Sequence, residues 1–239
     1  MLFFMRSVAS AGVALVALAG PALSSAALQA SPVLIEISER SPSAVITIRN
    51  TSKDPIDVQT RVMRWTQANG AESLEEAEEI IASPPMTTLR PGSNYAVRIV
   101  RSAKGQVSGE EAYRVFVDQL PDTARQKNGT VALVVRHSIP VFLGDGDGGQ
   151  PKVTWKLGSA NGKLTLQATN NGTRRLRLAN VAVRLADGRR VTFGSGLLGY
   201  VLAGSTMEWR SNAAVTSGPG TVTAVTDLGP LTAEAHGLR

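Results

Sequence analysis

The chain has 239 residues, no cysteine, 43% hydrophobic residues and a formal net charge of +6. This hydrophobic content is sufficient for one or two packed cores and excludes a disordered chain. The absence of cysteine excludes a disulfide framework, a thiolate metal site and a thiol nucleophile. The basic residues are spread along the chain, with a denser cluster at Arg174, Arg175 and Arg177. We interpret that cluster as a solvated surface and expect no nucleic-acid partner.

The first 26 residues have the pattern of an export signal. Arg6 supplies a positive charge, and the apolar stretch Val8 to Leu23 precedes several small residues. The pattern predicts a signal peptide over residues 1–26, with cleavage after Ala26, and cleavage after Ala27 or Ala30 also fits the small residues present. No later stretch is apolar over the length that a membrane span requires. We therefore expect an exported protein, and the lack of cysteine favours the bacterial periplasm.

Residues 27–143 have the pattern of β-strands separated by turns. Apolar and polar residues alternate in most of these segments, as in a strand with one buried face. The predicted strands are Val33–Ile37, Ser41–Asn50, Ile56–Trp65, Tyr95–Arg101, Glu110–Leu120 and Gly129–Leu143. The acidic run Glu72–Glu79 predicts either a short helix or a solvated loop. The spacing of strands and turns predicts an immunoglobulin-like β-sandwich without its disulfide.

A glycine-rich segment, residues 144–151, is predicted to link this domain to a second one. Short strands are again predicted over Lys152–Leu157, Lys163–Asn170, Arg175–Leu185, Arg190–Phe193, Tyr200–Trp209 and Gly220–Thr226. These strands predict a second, smaller β-sandwich over residues 152–239. The expected fold class is thus all-β, with two immunoglobulin-like domains.

Motifs that would indicate enzyme chemistry are weak or incomplete. The segment Gly194–Gly199 matches GxGxxG, but no strand–helix–strand pattern surrounds it. Asp145 and Asp147 lie in a glycine-rich segment that lacks the remaining ligands of a calcium loop. The two histidines, His137 and His236, fall in different predicted domains, which argues against a histidine metal site or a catalytic triad. We expect no enzyme activity, no cofactor and no metal.

The stretch Gly129–Leu143, GTVALVVRHSIPVFL, is apolar on both faces over five residues. A strand with one wet face should alternate, so both faces of this one need apolar partners. Two interpretations remain open. It is either a central strand of the sandwich, or an edge strand that lends its second face and its free backbone edge to another protein.

Several stretches together resemble the PapD-like superfamily of periplasmic pilus-assembly chaperones, in its archaic branch. They are ASPV near the mature N-terminus, IRNTSKDPIDVQTRVMRW, ASPPMTTLRPGSNYAVRIVR, EEAYRVFVDQLP and GTVALVVRHSIPVFL. They follow the order and spacing of that family over residues 30 to 143. The second domain resembles the family only in size and β character.

The resemblance implies a chaperone that binds newly exported pilin subunits and delivers them to an outer-membrane usher. It also implies donor-strand complementation, in which a chaperone strand fills a groove in the incomplete pilin. By this resemblance Val131, Leu133 and Val135 enter the pilin, while Ala132 and Val134 face the chaperone's own core. An exposed apolar edge of this kind is compatible with self-association of the free chaperone, which the sequence does not decide.

The sequence departs from the family at the anchor for the carboxylate at the pilin's C-terminus. Familiar members use an arginine on the first strand and a lysine on the last, and Pro32 and Pro140 stand at about those positions here. A groove that holds a carboxylate still needs a cation. The candidates are Arg114, Arg136 and Arg98.

A hairpin centred near Arg125 would place Arg114 and Arg136 about opposite each other. Two like charges in that position favour an anion between them, so we expect this pair to be the anchor, with Arg114 the stronger candidate. The alternative is that each arginine is paired with an acidic residue of its own domain. The competing function is a secreted adhesin or carbohydrate-binding module, for which 5% aromatic residues is a poor supply.

Overall fold

The computed structural model of the chain describes residues 27–38, 41–103, 105, 107, 109–122, 133–144, 149–214 and 218–237. The predicted signal peptide, residues 129–132 of the predicted strand Gly129–Leu143, and four linker residues, 145–148, lie outside the described residues. Every helix or strand element in the described ranges is a β-strand, so the all-β prediction is confirmed. These ranges contain no helix with the length and hydrophobicity needed to cross a membrane.

Ten strands of the described residues form the N-terminal domain. They are β1 (Leu28–Ser31), β2 (Ile35–Ile37), β3 (Ser43–Asn50), β4 (Ile56–Ala68), β5 (Ala71–Glu76), β6 (Ile80–Ser83), β7 (Met86–Leu89), β8 (Asn94–Arg101), β9 (Glu110–Gln119) and β10 (Arg136–Gly144). One sheet has the order β1-β3-β8-β6. The other has the order β2-β10-β9-β4-β5, with β7 also paired to β4.

The two sheets pack face to face around one apolar core. Alternate residues of each strand enter it, as the period of a half-buried strand requires. Ile46 and Val97 contribute from the first sheet, and Val115 and Val141 from the second. Val115 and Val141 are odd-numbered residues that face the core. The even-numbered residues of β9 and β10 therefore form the outer face of the six-stranded sheet.

The strands of this domain differ from the sequence prediction in several places. The sequence does not predict β1, β6 or β7, and the predicted strand Val33–Ile37 is shortened to β2, which pairs in parallel with β10, whereas β1 pairs with β3 in the other sheet. The acidic run is a strand over Ala71–Glu76 rather than a helix or loop. Asn69 and Gly70 both have positive φ, so they form a tight turn that folds β5 back onto β4.

The second domain contains eight strands among the described residues. They are β11 (Val153–Ala160), β12 (Lys163–Asn170), β13 (Leu176–Leu185), β14 (Arg190–Thr192), β15 (Leu197–Val201), β16 (Thr206–Ala214), β17 (Gly220–Thr226) and β18 (Gly229–Gly237). They form one sheet of order β14-β13-β17-β18-β11-β12-β16, with β15 on β13. Leu166 of β12 and Val183 of β13 belong to one core, so this sheet curls around its own apolar interior.

Candidate functional site

One edge of β10 is largely without a neighbouring strand in the described part of the chain. β9 pairs along the whole of β10, from Arg136 to Gly144. On the opposite side, β2 pairs only with Val141–Leu143. The first half of β10 therefore presents unpaired backbone groups along one side, which is the geometry that accepts or donates a strand.

The residues just before β10 carry the exposed apolar side chains. Leu133 is 90% exposed and Val134 is 50% exposed, whereas Val135 is half-buried against the N-terminal core. The Val135 carbonyl still accepts a hydrogen bond from Gln119 N at 2.9 Å, so the pairing with β9 continues one residue beyond β10. β9 ends at Gln119, and Leu133 lies beyond its reach.

The prediction that Val134 faces the core of its own domain is wrong, because Val134 is 50% exposed. The core-facing residues of β10 are Ile139, Val141 and Leu143. The two-residue period of a strand places Val135 and Leu133 in that same row, and places Val134 on the other face. Ala132 and Val131 lie outside the described residues. Leu133 thus extends the row of core residues past the point where the core of the domain ends.

The two candidate arginines share the outer face of the six-stranded sheet, but they are not opposite each other. Arg136 pairs with Asp118, and Arg114 pairs with Pro140. Because the pairing is offset from the expected hairpin by four residues, the two guanidinium groups do not form a single site. Each has to be considered with its own neighbours.

Arg114 lies over an aromatic ring, and its polar contacts with the described residues are long. Its guanidinium carbon is 3.9 Å from the ring centre of Trp65, a cation–π arrangement. Its Nη1 donates to Ser138 Oγ at 3.4 Å, and its Nη2 lies 3.5 Å from Glu72 Oε2. The guanidinium is therefore held in place by the indole, and its hydrogen-bonding capacity is only weakly used.

Arg136 is committed to a carboxylate of its own domain. Its Nε and Nη2 both donate to Asp118, the latter at 3.1 Å, and Arg61 donates to the same carboxylate at 2.8 Å. Arg136 also lies 4.9 Å from the Phe116 ring centre. Burial opposes ionisation of Asp118, but the hydrogen bonds from Arg136 and Arg61 outweigh it and hold the pKa of Asp118 below its usual value.

Arg98 lies away from both of these arginines. It is an exposed residue of β8, between the core residues Val97 and Ile99, and therefore points out of the four-stranded sheet. The sequence candidates thus occupy two different surfaces, with Arg114 and Arg136 on one sheet and Arg98 on the other.

The second domain packs against one end of the outer face that carries Arg114. Trp65 and Phe142 contact Tyr200, with ring centres 5.6 and 5.5 Å apart. Gln67 makes two buried hydrogen bonds across the junction, from Leu202 N to its Oε1 at 2.9 Å and from its Nε2 to Tyr200 O at 2.9 Å. Arg114, stacked on Trp65, therefore lies beside the junction of the two domains.

Arg175 is buried against the N-terminal domain, whereas its sequence pattern predicts a solvated surface. Its side chain is only 4% exposed and forms ion pairs with Glu110 and Glu36 of the N-terminal domain. The guanidinium also covers the Phe142 ring at 3.6 Å. Hydrogen bonding from Arg175 lowers the pKa of Glu36. A run of arginines gave no signal for this burial, because the two carboxylates come from distant strands.

A cavity of about 470 Å³ adjoins these charged residues, lined among others by Glu36, Glu110 and Arg175. Within the described ranges, no group of three metal-ligating side chains could hold a metal ion. The N-terminal domain thus combines an unpaired stretch of strand edge on β10, exposed apolar side chains just before β10, and basic residues on the outer face of the same sheet. This combination suits the binding of a polypeptide.

Comparison with protein families identifies the N-terminal domain. Residues 27–144 match the PapD N-terminal domain, the domain of the pili and flagellar-assembly chaperones. No curated protein sequence matches the chain.

Solved structures share the two-domain fold at low sequence identity. A chain of the complex of CsuC with the tip adhesion subunit CsuE, from archaic chaperone–usher Csu pili of Acinetobacter baumannii, is 24% identical with a TM-score of 0.69, covering 90% of this chain and 100% of that one. The YadV chaperone is 14% identical, with a TM-score of 0.63 and coverage of 88% and 99%. A chain of the Salmonella enterica SafA pilin–SafB chaperone complex is 17% identical, with a TM-score of 0.61 and coverage of 89% and 98%. These similarities confirm the immunoglobulin-like two-domain fold.

Proposed function

Because the chain belongs to the PapD-like family of pili and flagellar-assembly chaperones, we propose that it is a periplasmic chaperone that binds pilin subunits by donating a strand. The subunit would be held in a folded, soluble form and delivered to an outer-membrane usher. Neither step needs a cofactor, since backbone hydrogen bonds and buried apolar area supply the affinity. Two of the structural neighbours are complexes with a pilin or a tip adhesion subunit, which supports a partner of this class.

The observation that carries this proposal is the row of apolar residues that outruns its own core. Ile139 is buried, Val135 is half-buried and Leu133 is 90% exposed, all on one face of a strand whose second edge is paired, among the described residues, only at Val141–Leu143. The half-buried His137 lies between Val135 and Ile139 in this row. A partner lacking one strand would extend this core, with Leu133 and Val135 entering its interior. Val131 would continue the row by the same period. The same exposed row would also let two free copies associate.

The carboxylate at the end of a bound subunit would be anchored by Arg114. Arg136 is engaged by Asp118 through two nitrogens, and Arg98 points out of the opposite sheet. Among the described residues Arg114 has long polar contacts only, and it lies on the outer face of the six-stranded sheet beside the domain junction. A planar guanidinium can bind a carboxylate through two parallel hydrogen bonds, which suits this role.

The test is co-expression with a pilin subunit encoded in the same operon, followed by co-purification. Leu133→Asp places a charge on the row that would enter the subunit, and Val134→Asp places the same charge on the other face. We expect wild type and Val134→Asp to retain the subunit in a one-to-one complex and Leu133→Asp to lose it. Equal retention by both variants contradicts strand donation. Failure of wild type to retain any subunit favours the adhesin function instead.

A further inference from the structure

Arg114 already has a carboxylate beside it, and the contact between them is weak. Its Nη2 lies 3.5 Å from Glu72 Oε2, and this is the sole ion pair of Arg114 among the described residues. Elsewhere on the same face, Arg136 reaches Asp118 through two nitrogens, with Nη2–Oδ2 at 3.1 Å. Ion pairs hold best when they are short and bidentate. The Glu72 contact is therefore easier to exchange than the Asp118 contact.

The two partners of Arg114 differ in how firmly they are placed. Trp65 is buried in the domain junction and supports the guanidinium from below at 3.9 Å. Glu72 lies on β5, an edge strand whose residues are all exposed. Gln67 and Glu72 are cross-strand partners, so Glu72 shares the face of Trp65 and Gln67. The arginine is thus fixed, while its carboxylate partner belongs to the outermost strand of the sheet.

We propose that Glu72 is a resident carboxylate that a bound partner's carboxylate replaces at Arg114, so that Glu72 determines which ligands the site accepts. This inference rests on the carboxylate anchor of the proposed function. A ligand that ends in a carboxylate takes the place of the Glu72 carboxylate beside Arg114, so that Arg114 remains in an ion pair. A neutral end offers no such replacement and leaves Arg114 paired with Glu72. The resident carboxylate also repels the incoming one, and so lowers its affinity.

The test uses acetate as a carboxylate probe on the full chain labelled with ¹⁵N at arginine. The Arg114 Nε–H resonance is assigned from its loss in Arg114→Lys. Glu72→Gln removes the resident charge, and Glu75→Gln makes the same change on the same strand, opposite Arg64 and on the other face. We expect Glu72→Gln to shift the midpoint of the acetate titration about 1.4- to fivefold lower, the range of a partly exposed ion pair. Glu75→Gln should titrate like wild type.

Equal midpoints for Glu72→Gln, Glu75→Gln and wild type would overturn the inference, as would an Arg114 resonance that acetate does not move in any variant. The subunit experiment answers a separate question. If acetate titrates as expected but wild type retains no pilin, then the exchange of carboxylates stands and the chaperone function fails. If pilin is retained but Glu72→Gln binds it no more tightly than Glu75→Gln does, then Glu72 has no role in selecting the ligand.

Discussion

Gln67 and Leu202 join the two domains through a buried hydrogen bond of 2.9 Å from the Leu202 N–H to the Gln67 side-chain oxygen. The same amide group donates to Tyr200 O at 2.9 Å, so one side chain satisfies a donor and an acceptor of the second domain. Removing a partner from a buried polar group is costly, because that group has already lost its hydration. The amide therefore fixes the second domain beside the surface that carries Arg114.

Gln67→Ala should destabilise the junction, since it leaves the Leu202 N–H and the Tyr200 carbonyl unpaired. We expect a loss of about 1–3 kcal/mol, seen as a lower calorimetric transition temperature. Thr66→Ala is the matched control, because Thr66 is the neighbouring residue on β4 and is exposed. Equal transition temperatures for the two variants would contradict a structural role of the Gln67 amide.

Asp118 should make stability depend on pH in the acidic range. Its pKa is held below the usual value of 3.8 by Arg136 and Arg61. A carboxyl whose pKa is lower in the folded state stabilises that state above the unfolded pKa, and the contribution is lost as pH falls through the folded pKa. At pH 7 we expect Asp118→Asn to cost about 0.5–1 kcal/mol, because both arginines are partly exposed.

The measurement is urea unfolding of wild type and Asp118→Asn at pH 7 and at pH 3. The difference between the two proteins should narrow at the lower pH, because Asp118 of the unfolded wild-type chain then takes up a proton and the unfolded state is stabilised. Taking this difference removes the similar contributions of other carboxyls with lowered pKa, such as Glu36 and Glu79. A difference that stays constant with pH would show that the ion pair is not its source.

The sequence predicted most of the fold, because the alternation of apolar and polar residues along a strand shows which of its residues face the core. β9 was expected over Glu110–Leu120 and spans Glu110–Gln119. Two of the strands that the sequence does not predict, β5 and β18, lack a clear alternation of apolar and polar residues. β5 is exposed on both faces, so its acidic residues have no period. β18, Gly229–Gly237, is built mainly from small and polar residues, and its pairing with β17 and β11 defines it as a strand.

The site could be predicted only in part, for two physical reasons. A stretch that is apolar on both faces does not show which of its residues face the core, and the expectation that Val134 does so is wrong. The cross-strand partners of the two arginines depend on which residue lies at the centre of the connection between β9 and β10, and the sequence does not identify that residue. Pairing of Arg136 with Asp118 centres the connection near residue 127 rather than 125. Each residue of such a shift moves the cross-strand partner by two, and Arg114 therefore lies opposite Pro140.

Leu133 and Ile139 belong to one row of the strand but should differ sharply in their effect on stability. Ile139 is 3% exposed, and Ile139→Ala should cost about 2–5 kcal/mol of the free energy of unfolding, because it opens a cavity in the core. Leu133→Asp should change that free energy by less than about 0.5 kcal/mol, since the side chain lies in solvent. Urea titration of both variants measures this contrast. A large loss in Leu133→Asp would mean that Leu133 packs within its own domain, and would remove it as a donated residue.

Arg114→Ala should weaken the binding of a subunit with a free C-terminal carboxylate. A hydrogen bond to a charged group contributes about 1.5–3 kcal/mol, which corresponds to roughly a ten- to hundredfold rise in Kd. Arg184→Ala is the control, because it removes an exposed arginine from β13 of the second domain. Isothermal titration with the subunit, and with the same subunit extended by two asparagines, separates the anchor from the donated strand. The extended subunit should bind wild type more weakly than the natural one and should not distinguish wild type from Arg114→Ala. If Arg114→Ala lowers the affinity of both subunits equally, then Arg114 supports the binding surface without holding the carboxylate.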